Sequence, residues 1–178
     1  LIPVIIVSML SGGLIAYIGE LIAFRKITLR STSPFYYFVS SITLGTLYEG
    51  IVTIWVGPNF YNYPRFFQSM VVKVGNFVIS KADLIMFISS CLALAILVIF
   101  IQKTRLGRAL RSVSFDRSTA GLMGINVFGI IQLAFFISGA LAGLSGVFLG
   151  INYTLYPQLG NLVVKGFIAS VIGGLGSI

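Results

Sequence analysis

With 178 residues, 57% of them hydrophobic and only 9% charged, the chain carries far less hydratable surface than a soluble domain, in which about 25% of residues are charged. Its mean hydropathy is +1.03, so the solvent for most of the chain must be lipid. The net charge of +8 would point to nucleic acid in a soluble protein, but here the bases sit in short loops beside apolar runs, where they set topology, and nucleic acid is excluded as a partner.

Histidine is absent, and the one cysteine, Cys91, lies in an apolar run. The chain therefore offers no disulfide framework, no metal site and no imidazole base, and catalysis by the chain itself is not expected.

A membrane helix needs about 20 mostly apolar residues to cross a hydrocarbon core about 30 Å thick. The first such run, 1–24, lacks a basic leader and a small-residue cleavage site, so it reads as a span and not as a signal peptide. Glu20, near its end and close to Arg25, reads as interfacial. The chain opens on Leu1 and stops at Ile178 inside an apolar, glycine-rich run, so it reads as one transmembrane domain over 1–178, cut at both ends.

The second run, 35–56, contains Glu49. An acid in hydrocarbon costs about 2.5–3.5 kcal/mol on insertion scales, which makes Glu49 a candidate for the translocation path or for a substrate ammonium. The alternative is a carboxylic acid bonded to a neighbouring helix, with Tyr48 nearby.

After it, Gly57, Pro58 and Asn59 break the helix, and Phe60, Tyr61, Tyr63, Phe66 and Phe67 fit an aromatic belt at the membrane interface. Residues 70–74 and 77–80 flank Gly75 and Asn76 and predict a small β-hairpin. The third run is 84–102.

The connection 103–126, KTRLGRALRSVSFDRSTAGLMGIN, is far longer than two antiparallel spans require. Asp116 is placed to N-cap a short helix through the amides of Ser118 or Thr119. Ala120 and Met123 share a face with Arg117 at helical spacing, and Gly124 suits the left-handed position that stops the helix. Such an element either rests on anionic headgroups or docks on a cytosolic partner; its small residues favour close protein contact.

The fourth run, 127–152, holds Gly139, Gly143, Gly146 and Gly150 at spacings of four, three and four. They share one helical face with Ala142 alongside, which predicts close helix packing, with a glycine-lined pore wall as a secondary reading. The fifth run is 162–178. Arg25, Lys26 and Arg30 follow the first run, and Lys103, Arg105, Arg108, Arg111 and Arg117 follow the third. These base-rich loops go to the cytoplasm, whereas 57–83, with only Arg65, Lys73 and Lys81, goes outside.

The segment GRALRSVSFDRSTAGLMGINVFGIIQLAFFISGALAGLSGVFLG, the later KGFIASVIGGLGSI and the upstream SSITLGTLYEGIVTIWVGP closely resemble the permease subunits of bacterial branched-chain amino acid ABC importers. The resemblance covers most of the chain. It implies an all-α polytopic transmembrane domain with a short cytoplasmic coupling helix, lodged in the cytoplasmic membrane of a bacterium or archaeon. It also implies that Arg108, Ala109, Arg111, Asp116, Ala120, Met123 and Gly124 fall at coupling-helix positions.

The implied partners are a second permease subunit, cytosolic ATP-binding subunits, an extracytoplasmic solute-binding protein and membrane lipid. ATP would be used by the partner subunit and no cofactor bound by this chain, which has no GxxxxGK[ST] phosphate loop.

Three positions depart from the family pattern. Phe115 stands where a polar or acidic residue is usual, Ser118 where glutamate is frequent, and Gly121 where a larger residue is common. They make the docking face less charged. The family also places an amide-type residue near Glu49, which favours a structural role there. Urea, short amides or sugars remain alternative solutes, and an ion-coupled secondary transporter is the alternative from another class.

Overall fold

The computed structural model describes residues 2–25, 27, 34–61, 71–74, 77–152, 154–156, 160, 165–166, 168–169 and 172. The first helix, α1 (Ile2–Gly19), continues without a break into a π-helical turn, Glu20–Phe24. Then come α2 (Pro34–Val56), strands β1 (Val71–Val74) and β2 (Phe77–Ser80), and α3 (Lys81–Lys103). Two shorter helices, α4 (Arg105–Phe115) and α5 (Arg117–Leu122), lead into α6 (Val127–Asn152).

Among the described residues four helical stretches are long and apolar enough to cross a membrane: Pro3–Phe24, Val39–Val56, Leu84–Lys103 and Val127–Ile151. They correspond to the first four expected spans; the expected fifth, 162–178, lies almost wholly outside the described residues. These helices are apolar on every side, as helices facing lipid must be. Ile54, Trp55 and Phe87 are among many large apolar side chains left exposed on α2 and α3.

Helix ends follow local chemistry. Pro34 takes the first helical position of α2, where its missing N–H costs nothing. Gly57, at φ +86°, stops that helix, its amide donating to the Thr53 carbonyl at 3.0 Å. The Tyr61 hydroxyl then donates to the orphan carbonyl of Val56 at 2.9 Å. At the other end of the bundle, Thr104 breaks α3 from α4. Its hydroxyl donates to the Phe100 carbonyl at 2.6 Å and accepts from the Gly107 amide at 2.9 Å. A side chain at Gly107 would collide with the Phe100 and Ile101 carbonyls, so only glycine permits this sharp corner.

The tightest packing joins α1 to α6. A Cβ on Gly12 would lie 2.5 Å from the Gly139 carbonyl oxygen and 3.1 Å from the Gly143 Cα. The Ser8 hydroxyl donates to the Gly143 carbonyl at 2.7 Å, closing the contact with a polar bond. α2 joins the pair through the Tyr48 hydroxyl, which donates to the Ile15 carbonyl at 3.1 Å.

β1 and β2 pair antiparallel, Val71 opposite Ser80 and Val74 opposite Phe77, the register of a hairpin. Its turn, Gly75 and Asn76, and the aromatics Tyr63, Phe66 and Phe67 lie outside the described residues. On the same outer side, Tyr61 and Leu155 exchange backbone hydrogen bonds of 2.9 and 2.7 Å, tying the segment after α2 to the segment after α6.

Candidate functional site

Arg25, after α1, and Arg117, in the connection between α3 and α6, lie at one end of the bundle. The Arg25 guanidinium lies 5.9 Å from the Phe128 ring centroid, at the start of α6. Arg117, at the start of α5, donates to the Tyr37 hydroxyl at 3.0 Å and lies 5.5 Å from that ring's centroid. α4 crosses beneath this end as an amphipathic helix. Val113 is buried, Ala109 and Leu110 pack partly behind it, and Arg105, Arg108 and Arg111 face outward.

α5 is closed at both ends by its own residues. Asp116 accepts the Ser118 amide at 2.9 Å and, through its other oxygen, the Thr119 hydroxyl. At the far end Gly124 sits at φ +82°, its amide donating to the Gly121 carbonyl at 3.0 Å while the Ile125 amide donates to Ala120 at 3.1 Å. That bond pair is the Schellman motif, and Ile125 packs on the cluster containing Ala120, which supplies the motif's apolar contact.

The Thr119 hydroxyl and the Ser118 amide hold the exposed Asp116 carboxyl below the usual carboxylate range. A carboxylate depressed on folding contributes stability above its unfolded pKa and loses it as pH falls through the folded value. Titrating the Asp116 carboxyl carbon by NMR is therefore expected to give a midpoint below that of an unstructured aspartate. Thr119→Val is expected to move it upward, and an unmoved midpoint counts against the cap.

Helical spacing alone placed Ala120 on one face with Arg117 and Met123. In the fold Ala120 is only 3% exposed and packs inward against Val113 and Ile130, whereas Met123 is 79% exposed. Met123, the C-cap, still donates its amide to the Thr119 carbonyl at 3.1 Å, so the two differ in what packs against them: Ala120 meets Val113 and Ile130. The outward surface instead consists of Leu122 (88% exposed), Met123 and, at the α4–α5 corner, Phe115 (96% exposed). Phe115 entered the sequence reading only as a departure that makes the docking face less charged, and Leu122 carried no docking expectation. The signal was available as large apolar side chains within an otherwise polar, basic connection.

Of the four glycines on α6, Gly139 and Gly143 face α1, where added side chains would strike Ala16, the Gly12 carbonyl and the Ser8 carbonyl. Gly150 is buried, while a Cβ on Gly146 would meet nothing within 4 Å. Gly146 lines an apolar groove with Pro3, Val4, Val7 and Val147.

The two intramembrane acids differ. Glu49 is half-buried; the Tyr48 hydroxyl, expected beside it, bonds to Ile15 of α1 instead. Glu20 corrects its interfacial reading: it is 1% exposed, and its Oε2 has no hydrogen-bond partner among the described residues. The Arg25 guanidinium lies over the Phe128 ring. Glu20 lies four residues after Ala16 and eight after Gly12, on the face of α1 that packs on α6, and the π-helical turn begins at Glu20. Such turns are frequent at functional sites.

At the outer end Val52, Val56, Gly57, Asn59, Tyr61, Leu155 and Tyr156 line an almost wholly apolar recess of about 280 Å³.

Comparison with known proteins adds what geometry cannot. No solved structure matches the chain. The permease protein LivH of a high-affinity branched-chain amino acid transport system in Salmonella typhimurium is 33% identical over 165 residues, covering 89% of this chain and 53% of that protein. The corresponding protein BraD of Pseudomonas aeruginosa is 42% identical over 103 residues, covering 57% of this chain and 34% of that one. A probable LivH permease of Methanocaldococcus jannaschii is 26% identical over 185 residues, covering 97% of this chain and 55% of its own length. The chain thus spans about half the length of the LivH relatives it matches. Apolar helices and these relatives make it a multi-pass protein of the cytoplasmic membrane. The whole of it, residues 1–178, matches one family, and the chain belongs to that family: the permease component of branched-chain amino acid transport systems.

Proposed function

We propose that this chain is the membrane-spanning subunit of an ATP-driven importer for branched-chain or other small apolar amino acids. The observation that carries the proposal is the α4–α5 connection: α5, a two-turn helix capped at both ends, ends on the exposed Leu122 and Met123 and follows the exposed Phe115, the last residue of the basic helix α4. Three large exposed apolar side chains within one short connection call for a partner surface. Its occupant is a cytosolic ATP-binding subunit, whose groove would take the apolar tip while Arg108 and Arg111 meet acidic groups at the rim. Asp116 and Gly124 then act as caps that keep the element rigid, Ala109 and Ala120 as its inward anchor, and Met123 as a contact residue.

ATP is bound and hydrolysed by the partner, and this chain binds no cofactor of its own. Binding of ATP draws two such subunits together, and the docked helices pass that motion to the spans, which rock between outward-open and inward-open states. A second permease subunit completes the pathway, and an extracytoplasmic binding protein delivers the solute near the hairpin. The apolar recess beneath Tyr61 and Tyr156 supports an apolar side chain as cargo over a sugar or urea.

The test is leucine uptake into proteoliposomes containing the permease with its partner subunits, with and without ATP. Uptake that requires ATP and is competed by isoleucine and valine is expected. A second reading, ion-coupled transport, is favoured by the buried Glu20 within a span, whose Oε2 has no hydrogen-bond partner among the described residues. Uptake that ignores ATP and follows a proton or sodium gradient would establish it instead.

A further inference from the structure

α5 has a second route into the membrane besides the covalent one through α6. Arg117 donates to the Tyr37 hydroxyl at 3.0 Å, and its guanidinium lies over the same ring. Tyr37 in turn stacks on Phe24, their centroids 6.4 Å apart and their planes within 8°. Phe24 is buried and packs on Phe135 of α6 at 5.0 Å. It is also the last residue of the π-helical turn that begins at the buried Glu20. One chain of contacts therefore runs from the first residue of the exposed helix, through α2, to the irregular turn of α1.

Each link has a definite chemistry. The Arg117 fork is a planar donor that bonds and stacks at once, which a lysine ammonium cannot reproduce in full. The Tyr37 ring presents its hydroxyl to the arginine and one face to Phe24. The π turn is the compliant member: its extra residue lets the helix change register locally without breaking its hydrogen-bond ladder. By contrast, α1 above it is clamped to α6 through Gly12, Gly139 and Gly143. Motion entering at Arg117 meets a stiff outer half and a yielding inner turn.

We propose that Arg117 is a positioning residue that couples displacement of α5 to the π-helical turn of α1 through Tyr37 and Phe24, and thereby to the setting of Glu20. The proposal rests on the docking reading above and names the route by which docking acts on the spans. It requires energetic coupling between the two residues, which proximity alone does not establish.

The experiment uses the complete importer in proteoliposomes, with Cys91 replaced by alanine, and reads the ATP hydrolysed per leucine imported. Arg117→Ala is expected to raise that ratio at least about fivefold, within the range of ordinary allosteric couplings. Arg117→Lys, which keeps a cation over the ring, and Tyr37→Phe, which keeps the stack, are expected to fall between wild type and Arg117→Ala. The Arg117→Ala/Tyr37→Phe double variant is expected to be no worse than Arg117→Ala alone. A parallel Leu122→Cys variant reports docking by cross-linking to the ATP-binding subunit, and Arg117→Ala should leave its yield unchanged.

An unchanged ratio in Arg117→Ala, or additive effects in the double variant, overturns the relay while leaving docking intact. Absence of the Leu122→Cys cross-link in the otherwise unaltered complex overturns the docking reading itself. Should Arg117→Ala fail to assemble, Tyr37→Phe and Arg117→Lys decide, and wild-type ratios in both overturn the relay.

Discussion

Leu122→Glu and Met123→Glu, singly, are each expected to reduce ATP-driven uptake by an order of magnitude or more while the protein still inserts and folds. Both side chains lie outside the packed cluster of Val113, Ala120 and Ile130, so the free protein loses no core contact when either becomes charged. In the assembled importer each carboxylate would be driven into an apolar groove without a partner. Central interface residues contribute about 2 kcal/mol or more, on the order of 30-fold in affinity. A charge buried there adds its own desolvation cost. The measurement is co-purification of the ATP-binding subunit with each variant, alongside uptake. Full co-purification of both variants would remove the apolar tip from the interface. Ala120→Trp is a poor probe of the same question, because Ala120 faces the cluster and a large ring there disrupts folding first.

Gly143→Ala is expected to destabilise the protein by about 1–3 kcal/mol, the usual cost of forcing extra volume into a packed contact. Its new Cβ would run into the Ser8 backbone carbonyl, and a backbone atom cannot turn aside as a flexible side chain can. The Ser8 hydroxyl bond to the Gly143 carbonyl would also be displaced. Gly146→Ala is expected to behave oppositely. Nothing lies within 4 Å of the added methyl, so the gain in helix propensity of about 1 kcal/mol is left uncompensated. Melting temperatures in detergent should therefore move apart, Gly143→Ala below wild type and Gly146→Ala at or above it. Equal shifts would mean that the α1–α6 contact is looser than its geometry indicates.

The spans were legible in the sequence because length and hydropathy are sufficient physics for a helix in lipid. The runs 1–24, 35–56, 84–102 and 127–152 fall within a few residues of the observed helices. The caps of α5 were legible for a similar reason, since Asp116 and Gly124 act on backbone groups only a few residues away. What could not be read depends on register and on contacts distant in the chain. No residue type announces a π-helical turn, and the burial of Glu20 follows from the packing of α1 on α6, a contact more than a hundred residues apart in the chain. That Ala120 and not Met123 is buried depends on Val113 and Ile130, which a helical count of the segment does not show. The link from Arg117 to Tyr37 joins residues 80 apart, beyond the reach of any local pattern.

The strand-like bridge between Tyr61 and Leu155 has a mechanical consequence. With the bond from Tyr48 to Ile15 and the glycine contact between α1 and α6, it fastens three helices together at successive depths. A trio fastened in that way turns like a single rudder and does not fan apart. α3 is held differently, chiefly through the Thr104 corner and α4. If the chain works as the importer subunit proposed above, passage to the outer face is expected to open along a seam beside the trio, with a stroke at the cytoplasmic end read there as a tilt of the whole blade.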